Sequence, residues 1–115
     1  MEEGNERPWG RYDILETGEV HQVKRITVKP FSRNSYQAHA RRSEVWIIVS
    51  GSATVTRDGV VTQALTGEAV SIPQGVKHRF ANDADHPLVL IEVQTGTYFG
   101  EDDNVRYEDD YGRVS

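Results

Sequence analysis

Six short stretches of this sequence read as β-strands, and nowhere does the chain show the sustained 3.6-residue apolar periodicity of a helix. They run from Val23 to Val28, Glu44 to Val49, Ala53 to Arg57, Val60 to Ala64, Ala69 to Ile72 and Leu88 to Gln94. Turn residues separate them. Asp58-Gly59 is a strong hairpin signal, because that pair tolerates positive φ. Pro73 stops the fifth stretch. Many short strands with Gly, Pro and Asp turns point to an all-β sandwich or barrel. A chain of 115 residues is one domain, long enough to bury a core but not two. No internal repeat or low-complexity linker divides it, so residues 1–115 are read as a single domain.

Composition narrows the partners. The formal charge is −5, so nucleic acid is not an expected ligand, since phosphate backbones attract basic surfaces. With no cysteine, disulfides and thiolate metal sites are excluded, and any metal must sit on nitrogen and oxygen. No apolar run approaches a membrane span. The start, Met1-Glu2-Glu3-Gly4-Asn5-Glu6, is acidic and unlike a targeting peptide, so a cytoplasmic protein is expected.

The tail, residues 100–115, holds Glu101, Asp102, Asp103, Glu108, Asp109 and Asp110. Such a run is ordinarily a solvated tail. The interleaved Tyr98, Phe99, Tyr107 and Tyr111 argue that it packs on the body, because aromatics contribute little unless buried.

Two segments carry the chemistry. Gln37-x-His39-x4-Glu44 precedes Gly51, and Gly67-x5-Pro73-x-Gly75-x2-His78-x3-Asn82 follows. Residues two apart on a strand share a face, so Gln37 and His39 point the same way. Glu44 opens the next strand, and His78 follows a turn that aims a distant strand at the cluster. Two imidazoles, a carboxylate and an amide form a mixed nitrogen–oxygen donor set for one divalent metal ion. Zinc comes first, with manganese, cobalt, nickel and iron as alternatives. His21 and His86 belong to neither motif and read as structural.

These two spacings resemble the two halves of the cupin signature, which implies a double-stranded β-helix, or jelly-roll barrel. The flanking blocks are more specific. Arg7-Pro8-Trp9-Gly10, Val23-Lys24-Arg25-Ile26, Gln37-x-His39-x2-Arg42-x-Glu44, Ile72-Pro73-x-Gly75-x2-His78, Ile91-Glu92-Val93-Gln94 and Gly100-Glu101-Asp102-Asp103 make the chain similar to one family. Arg106 and Tyr111-Gly112-Arg113 extend the match. That family is the cupin domain of type II mannose-6-phosphate isomerases, also found as the C-terminal part of bifunctional mannose-1-phosphate guanylyltransferases. Three positions depart from it. Phe31 follows Pro30 where glycine is usual, Val45 replaces a histidine, and Asn104 replaces an aliphatic residue. By alternation Val45 faces away from the pocket, whereas Phe31 stands at a strand entrance where it could alter access.

The resemblance implies a stand-alone isomerase converting mannose 6-phosphate to fructose 6-phosphate through an enediolate, without the nucleotidyltransferase domain. The alternatives are a non-catalytic cupin that binds a sugar or sugar phosphate and an oxygenase-type cupin, the latter disfavoured by Gln37. Glu92 and Lys24 are the candidate acid–base residues. Glu92 lies opposite the Val89, Ile91, Val93 face, and Lys24 shares a face with Ile26 and Val28. Phosphate needs cations, so Arg42 and then Arg79 are the expected substrate contacts. Arg41, Arg106 and Arg113 follow, the last two read rather as ion pairs with the acidic tail. Trp46 is expected in the core. Val45, Ile47 and Val49 form an apolar outer row for a second layer or a homodimer interface.

Overall fold

The computed structural model describes residues 5–111. Gly112 and Arg113, the end of the expected tail, lie outside them. Twelve strands follow in order: β1 (Glu6–Arg7), β2 (Gly10–Thr17), β3 (His21–Val28), β4 (Ser32–Arg33), β5 (Tyr36–His39), β6 (Arg42–Ser50), β7 (Ala53–Arg57), β8 (Val60–Ala64), β9 (Ala69–Ile72), β10 (His78–Asn82), β11 (Leu88–Gly96) and β12 (Asn104–Glu108). A 3-10 turn, Glu101–Asp103, precedes β12. One sheet has the order β1-β2-β3-β11-β6-β9 and the other β12-β5-β10-β7-β8, with β4 also pairing β10. No helix among the described residues is long and apolar enough to cross a membrane.

The expected hairpin is present. Arg57 pairs with Val60, and the two residues between them, Asp58 and Gly59, take φ of 45° and 83°. Positive φ at both central positions matches the strands' own twist, which is why Asp-Gly works there. Strand β2 escaped the sequence pattern because its second half, Ile14 to Thr17, is exposed and a bulge between Ile14 and Glu16 breaks its alternation. The β3 strand, which begins at His21, is interior to its sheet, with β2 on one side and β11 on the other.

The inner faces of the two sheets are divided by polarity. Val28, Trp46, Ala53, Val55, Leu88 and Leu90 are wholly buried and form one apolar mass with Trp9, Ile48 and Phe80. Each large side chain buried there contributes on the order of 2 kcal/mol. The same inner faces also carry Lys24, His39, Arg42, Glu44, His78, Glu92 and Gln94, all at most 5% exposed. On β6 the alternation is clean: Arg42, Glu44, Trp46 and Ile48 face in, while Val45, Ile47 and Val49 face out. Polar side chains are thus held rigidly inside the barrel, on strands that apolar neighbours anchor.

The tail joins the fold as a strand. β12 pairs with β5 at the edge of the second sheet. Asp103 accepts the backbone N–H groups of Ala40 and Arg41, and Asp110 pairs with Arg33 at 2.8 Å. Tyr98, Tyr107 and Tyr111 remain 37–44% exposed, so backbone pairing and carboxylates rather than buried aromatics dock this segment.

Candidate metal centre

Three side chains from three strands converge. His39 ends β5, Glu44 lies in β6 and His78 opens β10. His39 Nε2 is 3.2 Å from Glu44 Oε2, and His78 Nε2 is 3.8 Å from Glu44 Oε1. One donor atom from each lies within 4.8 Å of the others. Gln37 lines the same cavity, and its Cα is in register with that of His78. The turn through Pro73 and Gly75 brings the two halves of the pattern together. Gly75 takes φ of 81°, and its N–H donates to His39 O at 2.9 Å.

Neighbours fix each donor. His78 Nδ1 meets Val76 O at 2.8 Å, which leaves Nε2 to face Glu44. Trp46 Nε1–H donates to Glu44 Oε1 at 3.0 Å, and Arg42 Nε–H donates to Oε2 at 2.9 Å. The Trp46 ring closes the floor edge-on to His78 and Phe80, with centroids 5.6 and 5.3 Å away. Burial by itself would raise the Glu44 carboxyl, but charge on His78, His39 and Arg42 outweighs it and holds the group well below the ordinary carboxylate range. A buried, ionised carboxylate between two imidazole nitrogens is a donor set that fits a divalent cation. Arg42 Nη2 also lies 3.2 Å from His39 Nε2.

Glu92 and Lys24 stand on the inner face and line this cavity, opposite each other across the β3–β11 ladder. Burial first, and the Glu44 charge second, push the Glu92 carboxyl up to about 8, partly offset by Lys24. Gln94 Nε2–H donates to Glu92 Oε2 at 2.6 Å and is itself wholly buried. Alternation sets Gln94 on the same face of β11 as Glu92. Lys24 Nζ lies 4.3 Å from the Tyr12 ring centroid.

The expected cations are rearranged. Arg42 does line the cavity, but its guanidinium is engaged by Glu44, His39 and Phe99 O, so it orients the donors. Arg79 does not line it. It follows His78 on β10 and therefore points to the other side of the sheet, where it donates to Asn34 O and pairs with Glu108 at 3.2 Å. Arg41 lies over the Tyr98 ring. Arg106, expected to pair with the tail, lines the cavity instead. Phe31 is 72% exposed and absent from the lining, so it does not narrow the entrance. His21 and His86 are outside the site, beside Glu16 and Asp85.

The mannose-6-phosphate isomerase C-terminal family matches residues 2–109. The chain belongs to that family. It is 54% identical over 108 residues to "Xanthan biosynthesis protein XanB" of Xanthomonas campestris pv. campestris strain B100, covering 94% of this chain and 23% of that protein. It is 53% identical over 107 residues to "Mannose-1-phosphate guanylyltransferase" of Salmonella montevideo, covering 93% of this chain and 23% of the relative. The chain thus spans about a quarter of the length of the curated relatives it matches. Among solved structures, an RmlC-like cupin from Shewanella frigidimarina NCIMB 400 superposes with a TM-score of 0.71 at 23% identity, covering 84% of this chain and 85% of that one. The fold is that of the cupins. The expectation of a self-standing mannose 6-phosphate to fructose 6-phosphate isomerase is corrected by these names. Relatives about half identical to this family member are named for guanylyl transfer to mannose 1-phosphate and for xanthan biosynthesis, and their matching region is a minor part of a longer protein.

Proposed function

We propose that this domain holds a divalent metal ion, binds a phosphorylated hexose of mannose-1-phosphate metabolism against it, and performs acid–base chemistry on that sugar in the service of polysaccharide biosynthesis. The observation that carries this reading is the convergence of His39, Glu44 and His78 within 4.8 Å in a cavity that also presents Glu92. The relatives' names supply the metabolic setting. The cavity opens to solvent, with about 510 Å³ of space between its walls counting the open mouth. Arg7, Lys24, Arg42 and Arg106 line it against two carboxylates, Glu44 and Glu92, a balance that favours an anionic ligand in a protein of net charge −5.

Zinc is the ion we assign, with manganese, cobalt, nickel and iron as competitors for the same donors. When bound, the ion supplies positive charge that steadies oxygen atoms of the ligand as they become negative. The remaining work falls to the chain. Burial raises the Glu92 carboxyl above the ordinary carboxylate range, which suits it to give a proton and, after ionising, to take one back. Lys24 offsets the charge of the ionised form, and Gln94 fixes the carboxyl's direction. Trp46 and Phe80 close the cavity floor with apolar surface. The protein acts in the cytoplasm, and a homodimer forms through the outer face of the first sheet.

Plasma mass spectrometry of the purified protein tests the metal, with about one ion per chain expected. Glu44→Ala or His78→Ala should abolish that content; stoichiometric metal in either variant would mean the site is misplaced. Proton NMR of a hexose phosphate panel in deuterated water tests the chemistry. Solvent deuterium should enter a carbon-bound position with the metal-loaded protein and not with Glu92→Gln. Equal incorporation by both proteins would remove Glu92 from the reaction.

A further inference from the structure

Strand β12 brings two polar side chains into the cavity. Asn104 is in register with His39 and Arg106 with Gln37, so both stand beside candidate metal ligands. Directly opposite residues of an antiparallel pair share a face. Alternation accordingly sends Val105 and Tyr107 outward, 49% and 44% exposed, while Asn104 and Arg106 line the cavity. Each of the two carries a buried polar atom without a hydrogen-bond partner, Asn104 Oδ1 and Arg106 Nε. A buried polar atom left unpaired is destabilising, which points to a partner that arrives from outside.

Three of the tail's acids are engaged elsewhere. Asp103 is engaged by the backbone of Ala40 and Arg41, Glu108 by Arg79, and Asp110 by Arg33. Among the described residues Arg106 makes no ion pair. A guanidinium with no ion-pair partner among the described residues, lining a concave site next to a candidate metal centre, is an anion receptor by its chemistry. The Asn104 amide stands opposite His39, two pairs along the ladder from Arg106, where it can accept a hydrogen bond from a hydroxyl or, turned half over, donate to a hydroxyl oxygen.

We propose that β12 reads the ligand: Arg106 takes its phosphate group and Asn104 a sugar hydroxyl beside the metal. This rests on the sugar-phosphate reading above and adds which residues recognise which part. It also moves the phosphate contact away from Arg42 and Arg79, whose guanidinium groups are already engaged.

Titration calorimetry of zinc-loaded protein with inorganic phosphate and with mannose 1-phosphate tests it, with metal content measured for each variant. Arg106→Met should weaken both probes by about tenfold or more and leave the metal content unchanged. Arg106→Lys should fall between, because it keeps the charge and loses the fork. Asn104→Leu should weaken mannose 1-phosphate about fivefold or more and leave inorganic phosphate unchanged. Wild-type affinity in the metal-loaded Arg106 variants overturns the subsite and leaves the broader reading standing. Equal losses for both probes in Asn104→Leu overturn the hydroxyl assignment. Wild-type protein that holds metal but binds neither probe overturns the ligand class and the subsite together.

Discussion

Trp46 aims Glu44. The indole N–H donates to Glu44 Oε1 at 3.0 Å, from a ring with no exposed surface. Arg42 holds the other carboxylate oxygen at 2.9 Å. A carboxylate gripped at both oxygens keeps one orientation, which sets the direction of the electron pairs a cation would use. Trp46→Phe retains a ring and removes only the donor. Metal affinity should fall about 10–100-fold, the usual effect of losing a group that orients a ligand. Competition with a chromophoric chelator measures it. Unchanged affinity with an intact fold would mean that the metal does not depend on Glu44's orientation.

Phe31 carries a backbone cost that has nothing to do with the cavity. Its φ is 53°, in the left-handed region, and 72% of its surface is exposed. A side chain there opposes the backbone by roughly 1–2 kcal/mol, and the exposed ring recovers little of it. Glycine loses more freedom on folding, which takes back part of the gain. Phe31→Gly should therefore stabilise the protein by about 1 kcal/mol without altering metal affinity. Chemical denaturation of wild type and variant checks both the sign and the size. A destabilised variant would show that the ring makes contacts worth more than the strain.

The same residue shows what was legible in the sequence. The absence of glycine after Pro30 could be noticed without a structure, but its consequence required φ. Period-two alternation placed Glu44, Glu92 and Lys24 on the inner face, because each shares its strand with buried apolar residues that fix that face. The same rule applied to His78 would have turned Arg79 away from the cavity; charge alone suggested otherwise. Arg106 was obscured by composition. Surrounded by acids in the chain, it looks compensated, yet Glu108 and Asp110 find partners on other strands, and register with Gln37 carries it into the site. Pairing between distant strands decides that, and local pattern holds no record of it.

Glu92 makes the metal-free protein sensitive to pH. Its folded-state value, about 8, lies above its ordinary value of 4.5. A carboxyl that binds its proton more tightly when folded contributes stability that is fully present below 4.5 and is lost as pH rises through about 8. Glu44 is shifted the other way, so its contribution persists across that window. Chelator-treated protein should melt at progressively lower temperature as pH rises between those two values, and Glu92→Gln should flatten the decline. Thermal melts across a pH series check this. A slope identical in both proteins would assign the sensitivity to another group.

The outer face of the first sheet supplies the last prediction. Val45, Ile47 and Val49 are 37%, 40% and 49% exposed, so no further layer of the described residues fully covers them. Register sets Val93 beside Val45 and Ile91 beside Ile47, and Val23 lies across from Val93 on the next strand. The result is a continuous apolar strip over three strands, larger than scattered surface residues produce. A second copy related by a twofold axis buries the same strip on both partners, which is the arrangement proposed for the homodimer. Ile47→Asp places a charge at the centre of the strip, where an exposed position costs the monomer fold less than about 0.5 kcal/mol. Sedimentation velocity should show the wild-type chain at twice its monomer mass and the variant as a monomer with unchanged metal content. A wild-type chain that stays monomeric at tens of micromolar, or a variant that still pairs, would leave the strip without this partner.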